Sequence, residues 1–509
     1  MSELYEKITP AQRVILTVSL LVGVFMAILD TTIVDVIVPK LMAPLSTDLY
    51  GVQWVITAYM TAAATAILLV EWLETKIGLK KVFLSGLLLF TTASFFAGNA
   101  QSLAWMITAR VFQGFGESLI IVSAEAMLFT SYPPWKRGLA MGIYGLGVSF
   151  APALGPTLGG WITEHIEWRW VFYINVPIGI INFVYALFFL PEHKPSHKIR
   201  LNFPSYFFIS LSTVSLLIVL SKGQQYGWFS SEFIGKLTFL SIISFLLFLI
   251  SEMISENKLI DPRIFRIKEF VIAFLVYCLL LGFSMYQVFY LIPLFFEHLK
   301  GLTTFQTGLH ILPLALAVGI SSPLSGILSD KLSERIPLYF AVALYLFSSL
   351  YFLPKFNYFT PSWDASIKLI AVGVGLGFFF APVTNLALKK LGEFTTLGVS
   401  LMHYIRFVGG SFGTALATND LQRSLWENLD RTTEIQNYHI VSLFIQKLSF
   451  LLWITEEKAK ALFYKLELLY ALSDAFRETF FIAGLWGILG SLPVIYMFLE
   501  DLRRKGRRV

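Results

Sequence analysis

The chain is short of charge and nearly without cysteine. Asp, Glu, Lys and Arg make up 14% of its 509 residues, against about 25% in a typical water-soluble domain. A soluble protein of this length with so little charge would leave large apolar patches in water, so lipid is the expected solvent. The one cysteine, Cys278, lies in an apolar run and excludes an internal disulfide and a cysteine metal cluster; no metal site or cofactor is expected. Also missing is a Gly-x4-Gly-Lys-Ser/Thr phosphate loop, which argues against an ATP-driven pump. None of the seven histidines has Asp five places later, the pairing an integral-membrane acyltransferase would often need to activate a hydroxyl. No catalytic residues are expected, and the chain reads as a non-enzyme. What is abundant is apolar: 56% hydrophobic and 16% aromatic residues, with a mean hydropathy of +0.69. The net charge of +6 matters less than where the Lys and Arg residues fall, and nucleic-acid binding is disfavoured.

A spanning helix needs about 20 mostly apolar residues. Fourteen such runs are expected, near 14–38, 52–70, 82–99, 104–128, 138–162, 169–190, 203–221, 233–251, 270–296, 305–329, 336–354, 366–388, 396–418 and 476–499. The first has no small-residue cleavage pattern and is read as a span rather than a removable signal. Alternate loops are basic, for example Lys76, Lys80 and Lys81, then Lys136 and Arg137, then Lys389 and Lys390. The intervening loops are nearly bare of Lys and Arg, and one missed span would invert this alternation. Both termini are therefore expected on the cytoplasmic side. The connection 419–475 lies on the outer side and mixes Trp426, Leu443, Phe444 and Trp453 with charges at helical spacing, so it reads as amphipathic helix.

Charges inside spans cost about 2.5–3.5 kcal/mol on insertion scales and usually face an interior cavity. Asp30 and Asp35 fall in the first run, Arg110, Glu117 and Glu125 in the fourth, and His403 and Arg406 in the run 396–418. At about 100° per residue, Arg110 and Glu117 share one helix face. Asp30 and Arg110 each lie about 10 Å below the outer surface, so a carboxylate and a guanidinium are expected to meet across the bundle, where substrate or proton competes for the pair. Asp35 and Glu125 lie nearer span ends and are expected to be within reach of solvent. The run 138–162 carries Gly147, Ala151, Gly155 and Gly159 at intervals of four, with Pro152, Pro156 and Gly160 between them. Such a stripe lets another helix approach closely. A faint repeat relates Gly326, Asp330, Lys331 and Arg335 to Glu71, Thr75, Lys76 and Lys80, suggesting a duplicated architecture with the site between the halves.

Several of these segments together resemble the major facilitator superfamily in its fourteen-span drug:proton antiporter branch. "LDTTIVDVIVP" (Leu29 to Pro39), "RVFQGFG" (Arg110 to Gly116), "APALGPTLGG" (Ala151 to Gly160) and "WRWVFYINVPIG" (Trp168 to Gly179) are similar to its motifs, and "IRFVGGSFGTA" (Ile405 to Ala415) adds one in the second half. The resemblance implies an all-α membrane fold: a six-helix bundle over 1–190, two additional spans over 191–269, and a second six-helix bundle over 270–509 that contains the long outer loop. It implies alternating access and the export of hydrophobic or amphipathic compounds in exchange for protons. Asp30 carries over as coupling carboxylate, Arg110 as its partner, and Gly155 with Pro156 as antiporter hinge. Lys76, Gly78, Asp330, Lys331 and Arg335 carry over as inner-gate loop residues, with Glu71 and Thr75 departing from the usual pattern. For the EmrB-like subset it further implies an inner-membrane location, a periplasmic adaptor of the EmrA type and an outer-membrane channel of the TolC type. Export of one specific metabolite such as a siderophore, or a non-transporting membrane scaffold, are the competing readings.

Overall fold

A computed structural model of the chain describes residues 4–192, 200–435 and 438–506. The longer helices are α1 (Pro10–Leu41), α2 (Trp54–Ile67), α3 (Val70–Ile77), α4 (Leu79–Gly98), α5 (Leu103–Ser131), α6 (Arg137–His165), α7 (Asn175–Phe189), α8 (Phe203–Lys222), α9 (Glu232–Ile254), α10 (Lys268–Leu299), α11 (Thr304–Lys331), α12 (Arg335–Phe347), α13 (Ser362–Leu388), α14 (Thr395–Ile435), α15 (Tyr438–Leu452) and α16 (Glu456–Gly506). No strand occurs among the described residues. Backbone polar groups have no water to bond in hydrocarbon, so helices are the form in which these apolar runs satisfy them.

Local signals start the helices. Thr9 and Gln12 form a reciprocal cap at the start of α1, with Pro10 in the first turn, and Thr303 and Gln306 do the same for α11. Ser102 accepts from the Trp105 amide at the start of α5. Gly78, at φ +85°, supplies the left-handed turn between α3 and α4.

Among the described residues, twelve helices are long and apolar enough to cross a membrane, and the pair α2–α3, bent by 53°, makes up to thirteen. The bend falls at Leu68 and Leu69, so the expected span at 52–70 is a broken one. The expected run 396–418 is the first part of the 41-residue α14, which is not among the twelve; its His403 and Arg406 are buried. The outer connection is helical as expected: α14 continues to Ile435, and α15 folds against the start of α16. Helix α10 is interrupted by two π-helical stretches, Tyr277–Met285 and Phe295–Leu299.

The start of α1 and the later part of α16 lie on one face, here called the terminal face. Arg13 Nε donates to Ser131 O at 2.8 Å, and Arg335 pairs with Asp501 near the other end of the chain. The most extensive helix contact is between α6 and α11, one from each half of the sequence. Helices α8 and α9 pack mainly on each other, with α8 also touching α2 and α14. Helix α9 turns Phe239, Ile242, Phe245 and Leu246 outward, a surface suited to lipid tails.

Candidate transport site

The deepest polar cluster sits among α1, α2, α4, α5 and α7. Asp30 is 1% exposed and Arg110 is 1% exposed. Arg110 Nη1 meets Asp30 Oδ2 at 2.5 Å, so the ion pair expected from matched depth is present. A buried pair survives only if its remaining donors and acceptors are satisfied. Asn175 Nδ2 donates to Asp30 Oδ1 at 2.6 Å, and Gln113 Nε2 approaches the same oxygen at 3.3 Å. Arg110 also donates to Gln113 Oε1 at 2.9 Å and to Val55 O at 3.3 Å, and its guanidinium carbon lies 3.9 Å from the centre of the Tyr59 ring. Gln113 donates on to Ser94 at 2.7 Å. Sequence reasoning missed Gln113, Asn175 and Ser94. Gln113 stands three residues after Arg110, on the same helix face, and this spacing was the available signal.

A second cluster joins the halves. His403 Nε2 of α14 and Glu125 Oε2 of α5 are 2.5 Å apart, and Tyr144 of α6 stands 3.5 Å from the same nitrogen. Glu125 is 4% exposed and His403 4%. The expectation that solvent reaches Glu125 is therefore corrected: α5 continues to Ser131, and α14 packs over the carboxylate. Arg406, one turn beyond His403, lies within electrostatic reach of Tyr144, Tyr277, Tyr286 and Glu117. Glu117 lies between the clusters, one turn beyond Gln113 and facing Tyr59. Its Oε2 has no hydrogen-bond partner among the described residues. Asp30, Arg110, Glu117, Arg406 and the Glu125–His403 pair thus form a buried polar series running from α1 to α14. The side chain of Asp35 lies outside the described residues.

The small-residue helix α6 is gripped from two sides. A Cβ added to Gly155 would lie 2.7 Å from Thr32 Cβ of α1, and one added to Gly159 3.2 Å from Ile33 Cγ2. Gly147 faces Leu21 of α1, and Gly160 faces the Phe305 backbone of α11. Pro152 and Pro156 lie within the helix, Pro152 exposed. Contact between α6 and α11 holds at both ends: Gly308 lies against Thr157, and Gly138 against Gly326.

At the terminal face Asp330 crosses between halves. Its Oδ1 accepts from Gly138 N at 2.7 Å and its Oδ2 from Leu139 N at 2.8 Å. The carboxylate caps the start of α6, where a helix end exposes unpaired amides and favours negative charge. Thr75, its counterpart in the sequence repeat, instead bonds Trp72 O within α3. The neighbouring Glu74 faces Thr396 at the start of α14, a role that spacing did not reveal. Lys76 lies over the Trp72 ring at 4.1 Å, Lys331 is exposed, and Arg335 pairs with Asp501 rather than across the halves.

Comparison with known proteins agrees with this geometry. The family profile of the Major Facilitator Superfamily matches residues 20–414. The chain is 30% identical over 441 residues to the multidrug export protein EmrB of Escherichia coli (strain K12), covering 85% of this chain and 84% of that protein. It is 30% identical over 419 residues to the fatty acid resistance protein FarB of Neisseria gonorrhoeae, covering 81% and 80%. The crystal structure of the human organic anion transporter MFSD10 (TETRAN) has the same fold, with a TM-score of 0.60 at 12% identity over 96% of this chain and 100% of that one. The chain is a multi-pass membrane protein and belongs to the major facilitator superfamily, a family of transporters rather than enzymes.

Proposed function

We propose that this chain is a secondary multidrug exporter that expels hydrophobic and amphipathic compounds in exchange for protons, working by alternating access between two six-helix bundles, residues 1–190 and 270–509, with 191–269 contributing two further helices. The observation that carries the reading is the Asp30–Arg110 pair: an ion pair 1% exposed, joined by Asn175 and Gln113 at one end of the buried polar series that continues through Glu117 and Arg406 to Glu125–His403. A charge so placed needs a reason. Protonation of Asp30 removes the negative partner of Arg110 and slackens the hold of α1 on α5. A substrate group that competes for either partner then exchanges with the proton. Glu117 extends the route inward, and Glu125–His403 ties its state to the contact between bundles. Gly147, Pro152, Gly155, Pro156, Gly159 and Gly160 give α6 the close, proline-interrupted packing of a hinge.

In this reading all fourteen runs span the inner membrane, α14 included, and the basic terminal face is cytoplasmic. The likeness to EmrB supports an EmrA-type periplasmic adaptor seated on the helical outer segment 419–475, leading to a TolC-type outer-membrane channel. The test is efflux of hydrophobic dyes from cells expressing the chain, with and without a protonophore. Efflux that stops when the proton gradient collapses agrees with the proposal; efflux that continues at the full rate sinks it.

A further inference from the structure

Helices α8 and α9 are bonded into one unit. Ser212 Oγ donates to Ser241 O and Ser241 Oγ to Ser212 O, both at 2.9 Å, and the Ser205 and Ser251 hydroxyls share a bond of 2.8 Å. This unit lies along the seam where α2 of the first half meets α14 of the second. Leu68 at the α2–α3 bend, Ile209 of α8 and Phe248 of α9 form one buried apolar cluster, with Tyr404 of α14 packed against it. The Tyr404 hydroxyl also shares a bond of 2.7 Å with Thr213, near the middle of α8. At the face opposite the terminal one, α8 is tied to both halves. Ser221 and Thr57 of α2 share a bond of 2.7 Å, and Lys222 Nζ donates to Gln53 Oε1, just before α2, at 3.0 Å. Two residues past the end of α8, Gln224 Nε2 donates to Gln422 Oε1 of α14 at 2.6 Å. Trp228 holds the Gln224 amide in that orientation, because its Nε1 donates to Gln224 Oε1 at 2.8 Å.

The two attachments at this face are unequal. Thr57 is 3% exposed and Lys222 1%, so parting α8 from α2 strips partners from buried polar groups, the expensive kind of loss. Gln422 is exposed and Gln224 half-buried, so water takes over that bond at small cost. Thr213–Tyr404 lies about 14 Å from Lys222 along α8, close to the level about which two halves rock and where contacts shift least. Resting on the exporter reading above, in which the halves part at the outer side, we propose that α8–α9 is a seal carried by the first half. It stays on α2 and pivots at Tyr404, and Gln224–Gln422 is the latch that parts when the outer side opens. The seam between α2 and α14 then stays covered against lipid while the halves move.

The test uses the full-length chain in proteoliposomes, with Cys278 replaced by Ser and two pairs of cysteines. Gln224→Cys/Gln422→Cys is joined by a short reducible bifunctional thiol reagent. Thr57→Cys/Ser221→Cys is joined by oxidation, its hydroxyl oxygens already standing 2.7 Å apart. Export of a hydrophobic dye is measured before joining, after it, and after reduction. Joining 224 to 422 should lower export at least tenfold, with recovery on reduction, and joining 57 to 221 should leave export within about twofold. If Thr57→Cys/Ser221→Cys does not fold, Gln53→Cys/Ser221→Cys with the bifunctional reagent takes its place. Full export with 224 joined to 422 overturns the inference, as does failure of that pair to join. Loss of export on joining 57 to 221 overturns it too, because α8 would then have to leave α2. In each of these cases dye export by the unjoined protein leaves the exporter reading intact. Wild type that exports no dye removes that reading, and the seal with it.

Discussion

Replacing Asp330 with Ala deletes the acceptor that bridges the halves at the terminal face. Its two oxygens take bonds of 2.7 and 2.8 Å from the Gly138 and Leu139 amides. A hydrogen bond to a charged group contributes about 1.5–3 kcal/mol net. The carboxylate is only half-buried, so solvent screening brings both bonds toward the weak end of that range, and water replaces part of what is lost. A combined loss of about 2 kcal/mol follows, equivalent to about a 30-fold shift toward an open terminal face. The shift is read from a cysteine placed at Ser322, whose hydroxyl now bonds Gly142 O at 2.9 Å in the α6–α11 seam, with Cys278 replaced by Ser. Where opening is fast compared with labelling, the rate of modification by a charged thiol reagent follows the open population. It should rise about 30-fold in Asp330→Ala and less in Asp330→Asn, which keeps one acceptor oxygen. An unchanged rate in both variants would refute the assignment of Asp330 as the latch of this seam.

Three further outcomes are expected. Gly155→Val forces a branched side chain onto Thr32, whose backbone carbon a Cβ would already approach at 3.0 Å; dye export should fall at least tenfold while the protein still reaches the membrane, and normal export would remove α6 as the hinge. In a double-mutant cycle, Glu125→Gln and His403→Ala should show a coupling of about 1–3 kcal/mol in thermal stability, whereas additive effects would mean that the 2.5 Å contact carries no coupling between the halves. Asn175→Ala removes the shortest neutral donor to Asp30 and should lower stability by about 1–3 kcal/mol; a shift within error would show that the carboxylate does not depend on it.

How much of this was readable in advance differs from residue to residue. The Asp30–Arg110 contact followed from depth alone, because helix rise converts residue counts into ångströms and two opposite charges in lipid have few other partners. The close grip on α6 was visible in its small residues at intervals of four. The helical outer segment was visible in its spacing of apolar side chains. Neutral polar residues such as Asn175 and Gln113 escaped notice, since one amide in an apolar run carries little signal until the charge it serves is placed. Glu125 was misjudged because linear distance from a helix end says nothing of what packs over it. The repeat pointed to Asp330 and Thr75, yet Glu74, one residue off register, faces the partner helix, in the helix that follows the 53° bend between α2 and α3. That bend has no proline or glycine at Leu68 or Leu69 to announce it.

The central claim is that Asp30 couples substrate to protons. Purified chain in proteoliposomes with a pH-sensitive dye inside reports proton movement when an outward substrate gradient is imposed. Wild type should move protons against substrate, and Asp30→Asn, which keeps the shape and loses the ionisable group, should still bind substrate while moving none. Proton movement by Asp30→Asn at the wild-type rate would contradict the account.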